Sequence, residues 1–321
     1  MSSSFSAPIV AIGELLWDLL PSGPRLGGTT TNFAVLCARL GQFSALVSRV
    51  GNDALGRKAL QQLRETASSA NFNAGFVQTS TTLPTGTVSV TLDADGRPQY
   101  GIDVPVAWDE IELSPQLLEL AGLASVVCFG TLAQRRSPSC ESIHVFVQAT
   151  APACVRVCDV NLRMPFCTAE KLRWSLQHAT LLKVSDEELP EVARLLDLPI
   201  EQAPAHNQAE ALTRWAADAA SSLLTAAAEC RLVAITLGPH GSLLADRAQT
   251  HRHLGFPVTV ADTIGAGDAF TAGLVHGYLA GASLAGISTA ANLCGSYVAS
   301  QQGATPELPT KLLAAIRAAL S

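Results

Sequence analysis

The sequence predicts an α/β fold with a mainly parallel central sheet. Short runs that are apolar throughout, which is typical of strands buried on both faces, alternate with stretches of helical periodicity. The apolar runs lie near residues 125–129, 154–159, 180–184 and 231–236, and the helical stretches near 138–150, 168–178, 186–196 and 207–228. The chain has 321 residues, of which 48% are hydrophobic and 15% charged, so it can bury a large core.

The two ends of the chain show the same alternation of predicted strands and helices. Pro8 to Gly13 predicts a strand, a helical pattern from Thr31 ends at Gly41, and a strand follows from Ala45 to Val50, which together make a βαβ unit. Further expected elements are a helix over 51–65, a strand over 75–78, an antiparallel pair at 241–246 and 250–254, and helices near 266–280, 283–301 and 309–320.

Two stretches interrupt this alternation and predict a small β lid. Thr87 to Leu92 and Pro98 to Val104 alternate in polarity on either side of Asp93-Ala94-Asp95-Gly96, which indicates a hairpin. The other stretch, residues 14–28, is rich in residues that form turns. We therefore expect a single domain over residues 1–321, with a lid inserted from about 14–28 and 86–108. Such a lid would exclude water from a reaction beneath it.

Charge and composition limit the partners. The net charge is −6 with no basic cluster, which argues against nucleic acid and against an anionic membrane surface and favours a small-molecule partner. The eight cysteines form no CxxC pair and lie mostly in apolar runs, as reduced core residues do. With no positive side chain before Arg25 and no membrane span, we expect a cytoplasmic protein.

The stretch from Asp262 to Phe270, with the sequence Asp-Thr-Ile-Gly-Ala-Gly-Asp-Ala-Phe, predicts a glycine turn that leads into a helix. Gly265 and Gly267 allow the backbone to turn, and the N–H groups of a helix's first turn bind anions such as phosphate. Asp268 could accept a proton from an alcohol beside a bound γ-phosphate. The alternative is that glycine, alanine and aspartate simply begin a helix well.

Six stretches together resemble the ribokinase-like (PfkB) carbohydrate kinases, and within them the fructokinases. They are Gly27–Ala34 with Ala38–Gly41, Val50–Gly56, Asp159–Arg163, Ser185–Leu189, Thr236–Ser242 and Asp262–Phe270. The resemblance covers nearly the whole chain and implies a ribokinase-like three-layer α/β/α core with a β lid. It also implies an ATP-dependent transfer of phosphate to a sugar hydroxyl, with Asp268 as base and the Gly265-Ala266-Gly267 amides stabilising the phosphoryl group.

The resemblance assigns sugar binding to Asp18, Gly27, Gly28 and Asn32, and it places Arg163 near the sugar and the phosphates. Each residue has another interpretation. Asn32 can be a plain helix N-cap, Asp18 can lie on the exposed face of a strand, and Arg163 can be a surface arginine. Met164-Pro165-Phe166-Cys167 departs from the usual fructokinase pattern after Arg163.

The resemblance assigns nucleotide binding to Ser185, Thr236, Gly238, Gly241 and Asn292. It places Glu188 near Mg²⁺, where the carboxylate would order the waters around the metal. Ser185 to Glu188 also fits a helix capping box that needs no further function. Asp262 corresponds to a potassium site in some relatives, together with the backbone near Gly303 and Ala304.

The sequence leaves the substrate open. Fructose leads, and ribose, 2-keto-3-deoxygluconate and a nucleoside are alternatives, as is a non-catalytic sugar-binding regulatory homologue. No GxxxxGK[ST], HRD or DFG motif is present, which argues against a P-loop enzyme or a protein kinase. His251 and His253 could share a strand face, but no third metal ligand is near them in sequence. Many relatives dimerise by pairing lids, so the resemblance suggests a homodimer.

Overall fold

The computed structural model describes residues 7–20, 23–92, 98–205 and 207–321. It confirms a three-layer α/β/α fold with a mostly parallel central sheet. The strands of the described residues are β1 (Ile9–Ile12), β2 (Leu16–Leu20), β3 (Gly23–Gly27), β4 (Ser44–Gly51), β5 (Phe72–Asn73), β6 (Val77–Ser80), β7 (Gly86–Leu92), β8 (Pro98–Ile102), β9 (Val126–Gly130), β10 (Val155–Asp159), β11 (Leu181–Ser185), β12 (Leu232–Thr236), β13 (Ser242–Ala245) and β14 (Thr250–His253). The helices are α1 (Thr29–Arg39), α2 (Ala54–Ser69), α3 (Pro115–Leu123), α4 (Ser137–Gln148), α5 (Ala169–His178), α6 (Leu189–Leu196), α7 (Ala209–Ala226), α8 (Ala266–Leu279), α9 (Leu284–Ala299) and α10 (Thr310–Leu320).

The chain divides into two compact units. The first comprises Met1–Val127 and Ala133–Pro152, and the second comprises Cys128–Leu132 and Ala153–Ser321. The single domain that the sequence predicts stays a prediction.

The first unit contains one end of the main sheet and a separate small sheet. In the main sheet the order is β9-β1-β4-β5, with β6 beside β4, and β1 pairs with β4 in parallel. The small sheet has the order β3-β2-β7-β8, with β7 and β8 antiparallel. Its strands come from the stretches predicted to form the lid, although the turn expected at residues 93–96 lies outside the described residues. Its action as a lid stays a prediction.

The second unit contains the strand order β14-β13-β12-β11-β10-β9. β10, β11 and β12 are parallel, and β13 and β14 continue the sheet as an antiparallel pair. β11 and β12 pair so that Ser185 lies opposite Thr236, at the carboxyl ends of both strands. Open α/β sheets bind their ligands at this edge.

Some boundaries differ from the sequence-based expectation. β3 forms over Gly23–Gly27, where we expected turns, because an edge strand tolerates glycine and Pro24. α3 was not expected, although Ser114 caps it by accepting from the N–H of Leu117 and Pro115 occupies its first turn. α6 begins at Leu189 rather than at 186.

The cysteine prediction agrees with the structure. All eight cysteines are free thiols, and seven of them are buried, with Cys140 partly exposed. Burial raises the pKa of the Cys294 thiol to about 12, as expected of an unreactive core residue. In the described stretches of the chain, no helix is long and apolar enough to cross a membrane.

Candidate active site

The predicted phosphate loop forms a tight turn before α8. Gly265 is the N-cap of α8 with φ +81°, a conformation that favours glycine. Asp262 joins this turn to the segment after α9, because its Oδ1 accepts from the Ile264 N–H at 3.0 Å and its Oδ2 from the Gly303 N–H at 3.2 Å. The first turn of α8 therefore has a fixed direction, and N–H groups at such a helix start lack acceptors within the helix.

Asp268 is the acidic residue in that first turn. It is partly exposed, whereas the following residues Ala269 and Phe270 are buried. A base that takes a proton from a substrate must be reachable by it, and this exposure meets the requirement. The positive end of the helix dipole favours the ionised carboxylate at this position.

A buried polar network lies behind the start of α8. The ammonium of Lys183 on β11 donates to Asp159 Oδ1 on β10 at 3.0 Å, and the Thr271 hydroxyl on α8 donates to Asp159 Oδ2 at 2.8 Å. A Cβ atom built on Gly267 would lie 3.3 Å from Lys183 Nζ. The network therefore joins the end of β10 and the middle of β11 to the helix that carries Asp268.

A cavity of about 410 Å³ opens at the carboxyl ends of β10 and β11. Its lining is polar and includes Asn161, Arg163, Lys183, Ser185 and Glu188. Arg163 is exposed, and the backbone of Asn161 has φ +36°. The lining combines cationic and anionic groups, which suits a charged ligand better than an apolar one.

Glu188 and Ser185 form a closed set of hydrogen bonds in the turn before α6. Glu188 Oε2 accepts from the backbone N–H of Ser185 at 2.7 Å and from its hydroxyl at 2.8 Å, and the Glu188 N–H donates to Ser185 Oγ at 3.3 Å. Glu188 Oε1 accepts from the Leu162 N–H. This is the reciprocal pattern of a capping box, and it also holds the carboxylate at the cavity wall.

The residues predicted to bind nucleotide occupy two places in the second unit. Ser185 and Thr236 end neighbouring strands, and the loop after Thr236 contains Gly238 with φ +54° and Gly241 with φ +86°. Asn292 on α9 is buried, and its amide donates to Ser242 Oγ and to the Ser288 carbonyl, both at 2.8 Å. Its N–H groups are therefore used within the protein.

Of the residues predicted to bind sugar, Asp18, Gly27, Gly28 and Asn32 lie in the first unit, on β2, β3 and α1, whereas Arg163 lies in the second unit. Asp18 on β2 is partly exposed, and its carboxylate occupies the space that a side chain at Gly27 would take. Gly28 is the N-cap of α1 with φ +105°, and Asn32 is buried inside the helix. The alternative of Asn32 as an N-cap is wrong, since the helix begins at Thr29 and the Asn32 N–H donates to the Gly28 carbonyl.

Glu14 fixes the start of α1 and was missed by the sequence reasoning. It is buried, its Oε1 accepts from the Thr29 N–H at 3.1 Å, and its backbone carbonyl accepts from the Thr30 and Thr31 hydroxyls at 2.9 and 3.0 Å. The three consecutive threonines are thus explained by local hydrogen bonding. A carboxylate within an apolar run was the available signal.

The described residues offer few ligands for a metal ion. Within the part of the chain that the structure describes, no group of three or more His, Cys, Asp or Glu could hold a metal ion by itself. Mg²⁺ in phosphotransferases is usually held by one or two carboxylates, waters and substrate phosphates. A single cavity-lining carboxylate such as Glu188 fits that requirement. His251 and His253 remain without an assigned role.

The chain is similar in sequence to carbohydrate kinases. A model of the pfkB family of carbohydrate kinases matches residues 24–311. A fructokinase of Klebsiella pneumoniae is 30% identical over 322 residues, covering 94% of this chain and 96% of that protein. A fructokinase of Escherichia coli is 29% identical, covering 95% of this chain and 97% of that protein.

Solved structures that resemble this chain are also sugar kinases. A sugar kinase of Pyrococcus horikoshii in complex with ATP is 26% identical with a TM-score of 0.75, covering 96% of this chain and 99% of that chain. A fructokinase of Vibrio cholerae O395 in a form with bound fructose, ADP and calcium ion is 25% identical with a TM-score of 0.73, covering 98% and 99%.

Proposed function

The chain belongs to the pfkB family of carbohydrate kinases and is a phosphotransferase that uses a sugar hydroxyl as acceptor, and we propose that its substrates are D-fructose and ATP and its products fructose 6-phosphate and ADP. The observation that carries the choice of fructose is the full-length likeness to fructokinases. Kinases that resemble the chain bind sugar and ATP. Because the chain is a phosphotransferase, we set aside the alternative of a non-catalytic sugar-binding homologue.

In the proposed reaction, Asp268 accepts the proton of the sugar hydroxyl. The hydroxyl oxygen forms a bond to the γ-phosphorus, the bond from that phosphorus to the β–γ bridging oxygen breaks, and ADP leaves. We assign stabilisation of the charge on the moving phosphoryl group to the N–H groups of Gly265, Ala266 and Gly267, of which the Ala266 N–H also donates to the Thr263 carbonyl at 3.2 Å. The location of Gly265 and Asp268 in one helical turn supports this division of work.

The remaining assignments distribute the two substrates over the polar residues described above. We assign the sugar to Asp18, Gly27, Gly28 and Asn32, with Arg163 near both the sugar and the phosphates. We assign the nucleotide to Ser185, Thr236, Gly238, Gly241 and Asn292. The Asp18 carboxylate lies against Gly27, in space that a side chain would otherwise fill. This supports the sugar assignment, because a carboxylate can accept from two sugar hydroxyls.

The choice of sugar is tested by measuring ADP release over a panel of fructose, ribose, 2-keto-3-deoxygluconate and nucleosides. We expect the highest kcat/KM for fructose. We expect Asp18→Asn to raise the KM for the sugar about tenfold or more, the effect of weakening a charged hydrogen bond, while the KM for ATP stays unchanged. A higher kcat/KM for another member of the panel would contradict the fructose assignment, and an unchanged sugar KM in Asp18→Asn would contradict that of Asp18.

We further propose that Glu188 orders the water shell of Mg²⁺, which when bound neutralises phosphate charge. Chelation by EDTA should then abolish turnover, and added Mg²⁺ should restore it. Glu188→Gln should raise the Mg²⁺ concentration needed for half-maximal rate, whereas Glu170→Gln, an exposed acid in the first turn of α5, should not. An unchanged Mg²⁺ requirement in Glu188→Gln would remove the metal role.

Three further proposals concern ions, assembly and compartment. Asp262, which bridges the backbone at Ile264 and Gly303, would take part in a K⁺ site, and rates in potassium and sodium chloride test this. A homodimer formed through the small sheet is tested by sedimentation. A cytoplasmic location agrees with eight free cysteines and is tested by cell fractionation.

A further inference from the structure

Lys183 is a buried cation for which the proposed reaction has no role so far. It lies within β11, next to Leu182 and Val184, which are buried and apolar, and it is 7% exposed. Charged side chains are seldom buried without a partner. The side chain pairs with Asp159 and also lines the cavity at the carboxyl ends of β10 and β11.

The charges around Lys183 do not balance. Burial by itself lowers the pKa of Lys183. The charges of Asp159, Glu188 and Asp268, together with the hydrogen bond to Asp159, outweigh burial and raise the pKa above its ordinary value. The side chain is therefore an ammonium group, and one positive charge acts among three carboxyl groups that come from β10, the turn before α6 and α8. Burial raises the pKa of Asp159, and the Lys183 charge opposes that rise and favours the ionised carboxylate. Arg163, Glu187 and Glu191 line the same cavity.

The Lys183 ammonium group lies next to the predicted phosphate loop. Lys183 Nζ lies directly behind Gly267, and Asp159, its partner, also holds the hydroxyl of Thr271, one turn further along α8. The Thr271 hydroxyl also lies 3.0 Å from the Gly267 carbonyl. The network thus ties the start of α8 to β10 and β11, and it brings a positive charge to the helix that carries Asp268.

We propose that Lys183 is a positioning residue for phosphoryl transfer, whose ammonium group offsets the carboxylates at the start of α8 and so allows the triphosphate of ATP to approach them. This inference rests on the proposed function, because it assumes that phosphate is transferred at the start of α8. A bound triphosphate adds several negative charges to a region that already holds Asp159, Glu188 and Asp268. In a site of low dielectric, a fixed positive charge then has a much larger effect than it would in water.

Two variants isolate the ammonium group. Asp159→Asn keeps an oxygen that can accept from Lys183 and gains an NH2 group that can donate to the Thr271 hydroxyl, which still has the Gly267 carbonyl as its acceptor, and it retains the cation. Lys183→Met combined with Asp159→Asn differs from it only in the cation, and it leaves no unpaired buried charge, which favours folding. We expect kcat of the double variant to be about 10²-fold below that of Asp159→Asn, the effect of losing one preorganised electrostatic group. Equal kcat values would overturn the proposal.

A second measurement separates a charge effect from a packing effect. Lys183→Ala leaves space that is reached from the cavity which Lys183 lines. Added ethylammonium should restore kcat of Lys183→Ala about tenfold or more over sodium chloride at equal ionic strength, and it should not change kcat of the wild type. No difference between the two salts would mean that the ammonium charge is not what the site needs.

Failure of this inference can be told apart from failure of the proposed function. All variants are assayed with the sugar that the wild type turns over best. Suppose that Asp268→Asn is inactive, and that Asp159→Asn has the same kcat as Asp159→Asn combined with Lys183→Met. In that case only the role of Lys183 is wrong. If Asp268→Asn is as active as the wild type, the proposed location of phosphoryl transfer is wrong.

Discussion

Replacing Asp268 by asparagine is expected to lower kcat by more than ~10²-fold, which corresponds to at least about 2.7 kcal/mol of transition-state stabilisation. Asparagine has nearly the same shape but cannot accept the proton of the sugar hydroxyl. Because the site is partly exposed and lies in the first turn of α8, the change should leave the fold intact. ADP release measures the loss.

The control for this prediction is a second acid in a helix. Asp218→Asn changes an exposed aspartate on α7 and should leave kcat at the wild-type value. Binding of ATP and sugar by Asp268→Asn should persist, which a thermal shift on adding each ligand would show. Wild-type turnover by Asp268→Asn would contradict the assignment of this residue as the base.

The sequence predicted the sheet well because its signal is local. Apolar runs such as Leu232–Thr236 can only be buried, and glycines such as Gly265 are favoured where the backbone turns with positive φ. The loop before α8 could therefore be placed to within a residue or two. Edge strands carry a weaker signal, and β3, with its glycines and Pro24, looked like a turn.

The polar contacts behind the loop could not be predicted in the same way. Asp159 and Thr271 are 112 positions apart in the chain, and only the pairing of β10 with β11 and the packing of α8 bring their side chains together. A hint was present in Lys183, a charge inside an apolar strand that needs a partner. That this partner is Asp159 follows from the register of β10 and β11, which a single sequence does not give.

The second large effect is expected for Gly265→Ala. Gly265 has φ +81°, which strains any residue with a side chain by about 1–2 kcal/mol, and a Cβ there would lie 2.6 Å from the Cα, Cβ and carbonyl oxygen of Ala304. Overpacking of this kind typically costs a further ~1–3 kcal/mol. The free energy of unfolding should therefore fall by roughly 2–5 kcal/mol. Denaturant unfolding measures this loss.

A matched glycine separates strain from overlap. Gly281 also has positive φ, +67°, but a Cβ there would meet no heavy atom within 4 Å. Gly281→Ala should therefore lose only about 1–2 kcal/mol of stability and keep its kcat, because it lies after α8 rather than before it.

Gly265→Ala should also lose activity at temperatures where it remains folded. The added methyl group pushes the turn away from Ala304, and misplacement of reacting groups by about 1 Å can cost ~10²-fold in rate. Since Asp268 and the loop N–H groups move together with that turn, both proton transfer and phosphate stabilisation should suffer. If Gly265→Ala and Gly281→Ala were equally stable and equally active, the contact between the loop and Ala304 would have no part in holding the catalytic turn.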